Sequence, residues 1–306
     1  MSLRPLKDDL AGRIMHVFSF FAVSLGFILA IGLFLRAQPI VWTVNLRDLF
    51  FSSIWRPSAG HFGLAGFIVS TLWVTGIAMI IVVPLALLTS VYLSEYAGRR
   101  IRIVMKPVID VLGGISPVIY GVWGVIAVVP LVRGLAPLIS GKLPFFPFLS
   151  DNYTGFSALT AGIVLSVMVL PIVIAVVEEV LNTIPHGVRE ASLALGATKW
   201  ETTKYVVLKK AKPGIIAALI LGMSRAYGET MAVLMVAGCS LQGFPRSIFD
   251  TAYPLPALVA NTYGEMMSIP LYDSAVLLVA FMLLIVTALC NMAGWGILLH
   301  FQKQEL

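Results

Sequence analysis

Two ionisable residues sit where the chain can least easily hold charge. Arg225 and Glu229 belong to the segment SRAYGET, residues 224–230, inside an apolar run at 214–238. Arg225 is eleven residues beyond Gly214. At ~1.5 Å each this puts it ~16 Å along a helix, near the middle of a hydrocarbon core ~30 Å thick. An Arg or a carboxylate at that depth costs at least ~2.5 kcal/mol on insertion scales. The i,i+4 spacing brings the two side chains together on a helix, so each lowers the other's cost. Such a pair either locks helix packing or faces a polar cavity on a substrate path, and depth favours the path. The chemistry on offer is electrostatic. Arg225 is a cation for a passing anion, or part of a gate, and Glu229 neutralises it while the site is empty. Ser224, Tyr227 and Thr230 add hydroxyls whose faces the sequence leaves open.

A second candidate is GGISPVIYGVWG, residues 113–124. Its glycines and proline serve either close helix packing or a break that lines a path with Ser116 and Tyr120. Broken helices with exposed N–H groups are one way to meet anions in a membrane. No catalytic residue is assigned. There is no G-x-x-x-x-G-K-[ST] phosphate loop, so this chain is not expected to hydrolyse ATP, and no H-E-x-x-H or G-x-S-x-G lies in the spans. His16, His61, His186 and His300 are scattered without ligand spacing, so no metal site is expected. Cys239 and Cys290 lie towards opposite faces, too far apart for a disulfide, which needs Cα atoms within ~7 Å.

The elements that must position these residues are membrane spans. Of 306 residues, 59% are hydrophobic and 12% charged, with mean hydropathy +0.95. Soluble domains average ~25% charged, so the chain reads as an all-α polytopic membrane protein. Alternating segments of a barrel are absent. Six spans are expected, at about Ile14–Leu35, Leu64–Leu93, Val108–Val132, Phe156–Val177, Gly214–Gly238 and Ser274–His300. The first is too long for a signal-peptide core and reads as an uncleaved anchor. Loop 36–63 is rich in aromatics, which suit an interface-hugging segment or a docking surface.

Fourteen of the 21 Lys and Arg residues fall in the N-terminal tail, in 94–107, in 184–213 and at Lys303, against six in the longer alternate loops. Both termini and loop 184–213 are therefore expected inside. The net charge of +6 is topological, and no nucleic acid is implied. The division expected is 1–63 for the tail, anchor and first outer loop, 64–300 for the transmembrane domain, and 301–306 for a cytoplasmic tail.

Loop 184–213, IPHGVREASLALGATKWETTKYVVLKKAKP, is the longest polar stretch between apolar runs. Pro185 suits a first helical turn. Two short amphipathic helices are expected, joined at Gly196, with Pro213 and Gly214 closing the second. Such an object lies in headgroups or is gripped by a partner.

The segment EASLALG, residues 190–196, resembles the EAA loop of ABC-importer permeases: E-A-A, three residues, Gly, nine residues, then I-x-L-P. Glu190, Ala191, Ser192 and Gly196 match in place, and Val206-Val207-Leu208 follows with Lys209 where the pattern has proline. SEYAGRR with GGISPVIYGVWG, and LGMSRAYGETMAVLMVAG at 221–238, look like the PstC family of phosphate permeases, over roughly 64–300. The resemblance implies a type I, MetI-like importer fold in a prokaryotic cell membrane, forming half of a phosphate pathway. It implies a second permease (PstA-like), an ATPase dimer (PstB-like) and an extracytoplasmic phosphate-binding protein (PstS-like). ATP would be bound by the partner, leaving this chain without a cofactor and without enzymatic activity. It places Arg225 and Glu229 in translocation, and Arg189, Glu190, Ala191, Ser192, Leu195 and Gly196 at the ATPase. The alternatives are a permease for another oxyanion such as molybdate or sulfate, a non-transporting membrane scaffold, and an intramembrane enzyme.

Overall fold

The computed structural model describes residues 4–142, 148, 150, 153–241, 244–264, 269 and 271–302. Lys303, counted above among the basic residues, lies outside them.

The chain opens with α1 (Arg4–Thr43), which runs through Pro39 and so extends past the expected end of the first span. Most of its apolar surface is open, as a lipid-facing helix requires. It is fastened near its end, where Phe34 meets Phe281 at 5.5 Å and Ala37 and Ile40 are buried. A short α2 (Leu46–Phe51) follows, then a hairpin of β1 (Trp55–Arg56) and β2 (His61–Phe62). The aromatics of this loop divide. Trp55 packs edge-on against Phe62 and Phe67 and also meets Tyr272, which makes it core. Trp42 and Phe51 stay 80% and 79% exposed.

Next comes α3 (Ala65–Val91), prolonged by a wide π turn at Tyr92–Tyr96. The stretch expected as a basic loop and the start of the third span is a separate amphipathic helix, α4 (Arg99–Gly114). Its Arg102 guanidinium donates to the carbonyls of Leu93 and Ser94 at 2.7–3.1 Å, closing the C-terminal end of the α3 rod. The chain then bends at Ile115 and Ser116. Proline disfavours helix in the residue before it, so a new rod starts at Pro117: α5 (Pro117–Trp123), a π turn at Gly124–Val128, and α6 (Val129–Lys142). The third span therefore begins nine residues later than expected.

Ser157 caps α7 (Ala158–Asn182), accepting from the Thr160 N–H at 3.2 Å. Then come α8 (His186–Ala194), α9 (Lys199–Glu201), a π turn at Thr202–Val207, α10 (Leu208–Tyr227), α11 (Met231–Val236), α12 (Leu255–Thr262) and α13 (Tyr272–Gln302).

Among the described residues five rods are long and apolar enough to cross a membrane: Gly12–Thr43, Ala65–Tyr96, Pro117–Gly141, Ala158–Asn182 and Tyr272–Leu299. The fifth expected span, at 214–238, is broken. α10 stops at Tyr227, Gly228–Thr230 are not helical, and α11 resumes for six residues. Glycine is a poor helix residue, and Gly228 is where α10 ends.

The most enclosed rod is α7. It packs on α3, α4, α10 and α11, and Gly162 lets α3 approach so closely that a Cβ there would lie 2.5 Å from Ile77 Cγ2. Small residues drive helix association in lipid by this kind of close packing. A second core joins α1, the hairpin, α12 and α13 around Leu64, Leu258 and Val279.

Candidate functional site

Arg225 occupies the last turn of α10. Its neighbours Ser224 and Ala226 are buried, while Arg225 itself is exposed. The Gly228 and Glu229 N–H groups donate to the carbonyls of Arg225 and Ala226 at 3.2 and 3.3 Å, a tightening turn that takes Glu229 off the helix. The i,i+4 pairing expected from sequence is therefore not formed, and among the described residues no ion pair joins the two. Glu229 Oε1 instead faces the start of α11, accepting from the Ala232 N–H at 3.5 Å. A helix N-terminus favours negative charge and a C-terminus positive charge, so each residue sits at the helix end that suits its sign. Glu229 therefore does not pair with and neutralise Arg225, as the sequence spacing led one to expect. Arg225 turns its guanidinium outward from an apolar bundle. Hydrocarbon does not solvate such a charge, so this face meets protein or a watered path.

The break before α5 has the same form. Ser116 is exposed at its tip, with extended backbone. Tyr120 is buried, and its hydroxyl donates to the Leu112 carbonyl at 2.7 Å, tying α5 back to the end of α4. Its hydroxyl is thus engaged inside the fold, whereas Ser116 is open. Gly121 and Gly124 serve packing: a Cβ on either would strike Met235 Sδ at 2.6 Å or Val236 Cγ1 at 2.9 Å on α11. The two uses considered for this glycine-rich stretch, a break and close packing, both occur, at different residues.

At the other site α8 stands off the bundle. None of its residues is buried, and a polar cleft of about 640 Å³ lies beside it, lined by Glu95, Arg102, His186 and Lys199 among others. Glu190 and Ala191 are open, Leu193 is 48% exposed and Leu195 is 90% exposed. Leu193 and Leu195 thus stand open on an otherwise polar segment. The helix ends in a Schellman motif: the Gly196 and Ala197 N–H groups donate to the Leu193 and Ser192 carbonyls at 3.0 and 3.3 Å. Gly196 has φ +87°, a conformation that glycine adopts without strain.

Ser192, which replaces the second alanine of the motif, shares a 2.9 Å hydrogen bond with the Thr202 hydroxyl. The second helix starts with a capping box. Thr198 Oγ1 accepts from the Glu201 N–H, and the Glu201 carboxylate accepts from the Thr198 N–H and hydroxyl. Those bonds, backbone first, hold the Glu201 carboxyl below its ordinary pKa. This helix does not close at Pro213. It passes through the π turn and Pro213 into α10 without a stop, so the loop's second half and the Arg225 helix are one rod.

Arg189 differs from the other loop candidates. Its guanidinium turns inward to Glu95 at 2.7 Å and to the carbonyls of Ile184 and Leu181 at 2.6 and 2.9 Å. Removing one partner of an enclosed pair costs about 3–5 kcal/mol where burial is full, and less here, where Arg189 and Glu95 are 13% and 8% exposed. Glu95 lies 94 residues from Arg189, too far for any local sequence pattern to signal the contact.

A helical bundle of membrane length, with a broken span and an outward-turned amphipathic loop helix, has the form of a membrane permease subunit. Residues 82–294 match the family of binding-protein-dependent transport system inner membrane components, and the chain belongs to that family. It is 34% identical to the phosphate transport system permease protein PstC of Xylella fastidiosa, over 99% of this chain and 95% of that one. It is 33% identical to a probable phosphate transport system permease protein PstC of Methanocaldococcus jannaschii, over 87% of each. It is 34% identical to PstC 2 of Mycobacterium bovis, over 88% and 85%. Its fold is similar to a chain of the inward facing MetNI methionine ABC transporter, with TM-score 0.52 and 22% identity over 74% of this chain and 91% of that chain.

Proposed function

We propose that this chain is one permease subunit of an ATP-driven importer of inorganic phosphate and forms half of its translocation path. The observation that carries the reading is Arg225, a cation turned outward from the end of a broken span. The names borne by the relatives above support phosphate as the anion. Ser116 adds an open hydroxyl at a second break, and Glu229 shapes the potential from the start of α11. Tyr120 supports the path from behind.

A homologous, PstA-like permease completes the path. An extracytoplasmic PstS-like protein delivers phosphate, and a PstB-like ATPase dimer binds and hydrolyses ATP. This chain carries no cofactor. Both termini and α8 face the cytoplasm, consistent with the bias of basic residues. Closure of the ATPase dimer pushes on α8, and the permease pair rocks from inward-open to outward-open. Phosphate passes Arg225 without a deep binding well, because conduction needs weak sites to release the ion.

The test is uptake by the reconstituted complex with labelled phosphate against excess molybdate or sulfate. Competition by phosphate alone supports the reading. Uptake that follows molybdate or sulfate assigns the permease to another oxyanion.

A further inference from the structure

Arg189 lies on the helix expected to receive force, yet its side chain is not on the receiving face. We infer that Glu95 and Arg189 form a transmission clamp, which fastens α8 to the ends of α3 and α7 so that these spans move with it. The inference rests on the reading of α8 as the ATPase-coupling helix.

Arg189 Nε and Nη2 donate to Glu95 Oε1 at 3.1 and 2.7 Å, and Nε also reaches Oε2 at 3.2 Å. Nη2 donates to the Leu181 carbonyl in the last turn of α7, a group that a finished helix leaves without an N–H partner, and Nη1 donates to the Ile184 carbonyl in the link between α7 and α8. One planar guanidinium thus binds the end of the α3 rod, the end of α7 and the first turns of α8. A forked, charge-assisted contact of this kind fixes orientation as well as distance. The same point is braced from α4, where Arg102 holds Leu93 and Ser94, and the Ser94 hydroxyl reaches Asn182 Oδ1 at 3.4 Å. Apart from the three-residue link 183–185 that joins it to α7, α8 makes few other contacts with α3 and α7 among the described residues. It buries no residue and borders the cleft, and the Ser192–Thr202 bond and the Gly196 turn lead only towards α10. Because α3 and α7 pack through Gly162 against Ile77, a push on the clamp is delivered to two spans at once.

The experiment uses the full complex with Glu95→Gln, Arg189→Lys and the double variant. In proteoliposomes, each single variant is expected to keep ATP hydrolysis within about twofold of wild type while phosphate imported per ATP falls about tenfold. The double variant falls no further, as for two residues acting as one unit. A wild-type ratio in both singles overturns the clamp. So does an equal loss of hydrolysis and uptake, which is the mark of a stability role, or a double-variant loss equal to the product of the singles.

A second readout does not depend on the transported anion. Spin labels at Gly187 and Leu88, both open positions, report the α8–α3 distance. The wild type is expected to keep one distance with and without trapped ATP, and Glu95→Gln to broaden or shift it. A wild-type shift beyond the ~2 Å of ordinary helix adjustment overturns the clamp. If wild-type complexes hydrolyse ATP but import no phosphate, the choice of anion fails, and the labels alone decide the clamp.

Discussion

Arg225 and Glu229 show how a single backbone break changes the meaning of two charges. On a continuous helix they would be a pair, and loss of either would strand the other. With α10 ending at Tyr227, each is held by a helix end, and no ion pair joins them. Glu229→Gln is therefore expected to lower stability in detergent by no more than about 1 kcal/mol, the scale of a dipole contribution, measured as a thermal midpoint of the purified complex. A loss of several kcal/mol would mean that the two charges are paired after all. Gly196 makes a different claim. Open space surrounds it, so only its φ of +87° resists substitution. Gly196→Val should cost about 1–2 kcal/mol of local stability and Gly196→Asn much less, read from exchange of the Ala197 amide. Glu201 supplies a pH dependence. Its carboxyl is lowered by bonds from Thr198, so the cap is present above the ordinary pKa and is lost as pH falls through the lowered one. Protection of the Thr198 amide, which the carboxylate accepts from, should fall over that acid range once intrinsic exchange is divided out, and stay flat in Glu201→Gln.

At the scale of elements, the five unbroken rods were legible because long apolar runs have few alternatives to helix. The rest was hidden for physical reasons. Hydropathy is blind to a break that keeps its apolar character, so Gly228–Thr230 read as the interior of a span, and the α4–α5 bend at Ser116 read as one option of two. Pro213 looked like a stop, yet the helix passes through it. The Glu95–Arg189 contact spans 94 residues and leaves no local pattern. By contrast, the Thr198–Glu201 capping box is a T-x-x-E signal present in the sequence. The glycines divide by what they touch. Gly162→Val should separate α3 from α7, because its Cβ alone would meet Ile77 at 2.5 Å. Overpacking of this kind costs about 1–3 kcal/mol, visible as a lower yield of folded protein and a lower unfolding midpoint. An unchanged midpoint would place the α3–α7 contact elsewhere.

At the scale of the whole molecule, two sites are joined by one rod. The helix that begins at the Thr198 cap carries Arg225 at its far end, and α8 is tied both to that rod and, through Arg189, to α3 and α7. α8 and the charged break are thus mechanically continuous, as the proposed conversion of a partner's closure into a change at the path requires. The most direct test of this account is phosphate uptake by the reconstituted complex with Arg225→Gln. The exposed position of Arg225 predicts normal assembly and ATP hydrolysis with phosphate uptake abolished; uptake at the wild-type rate would contradict it.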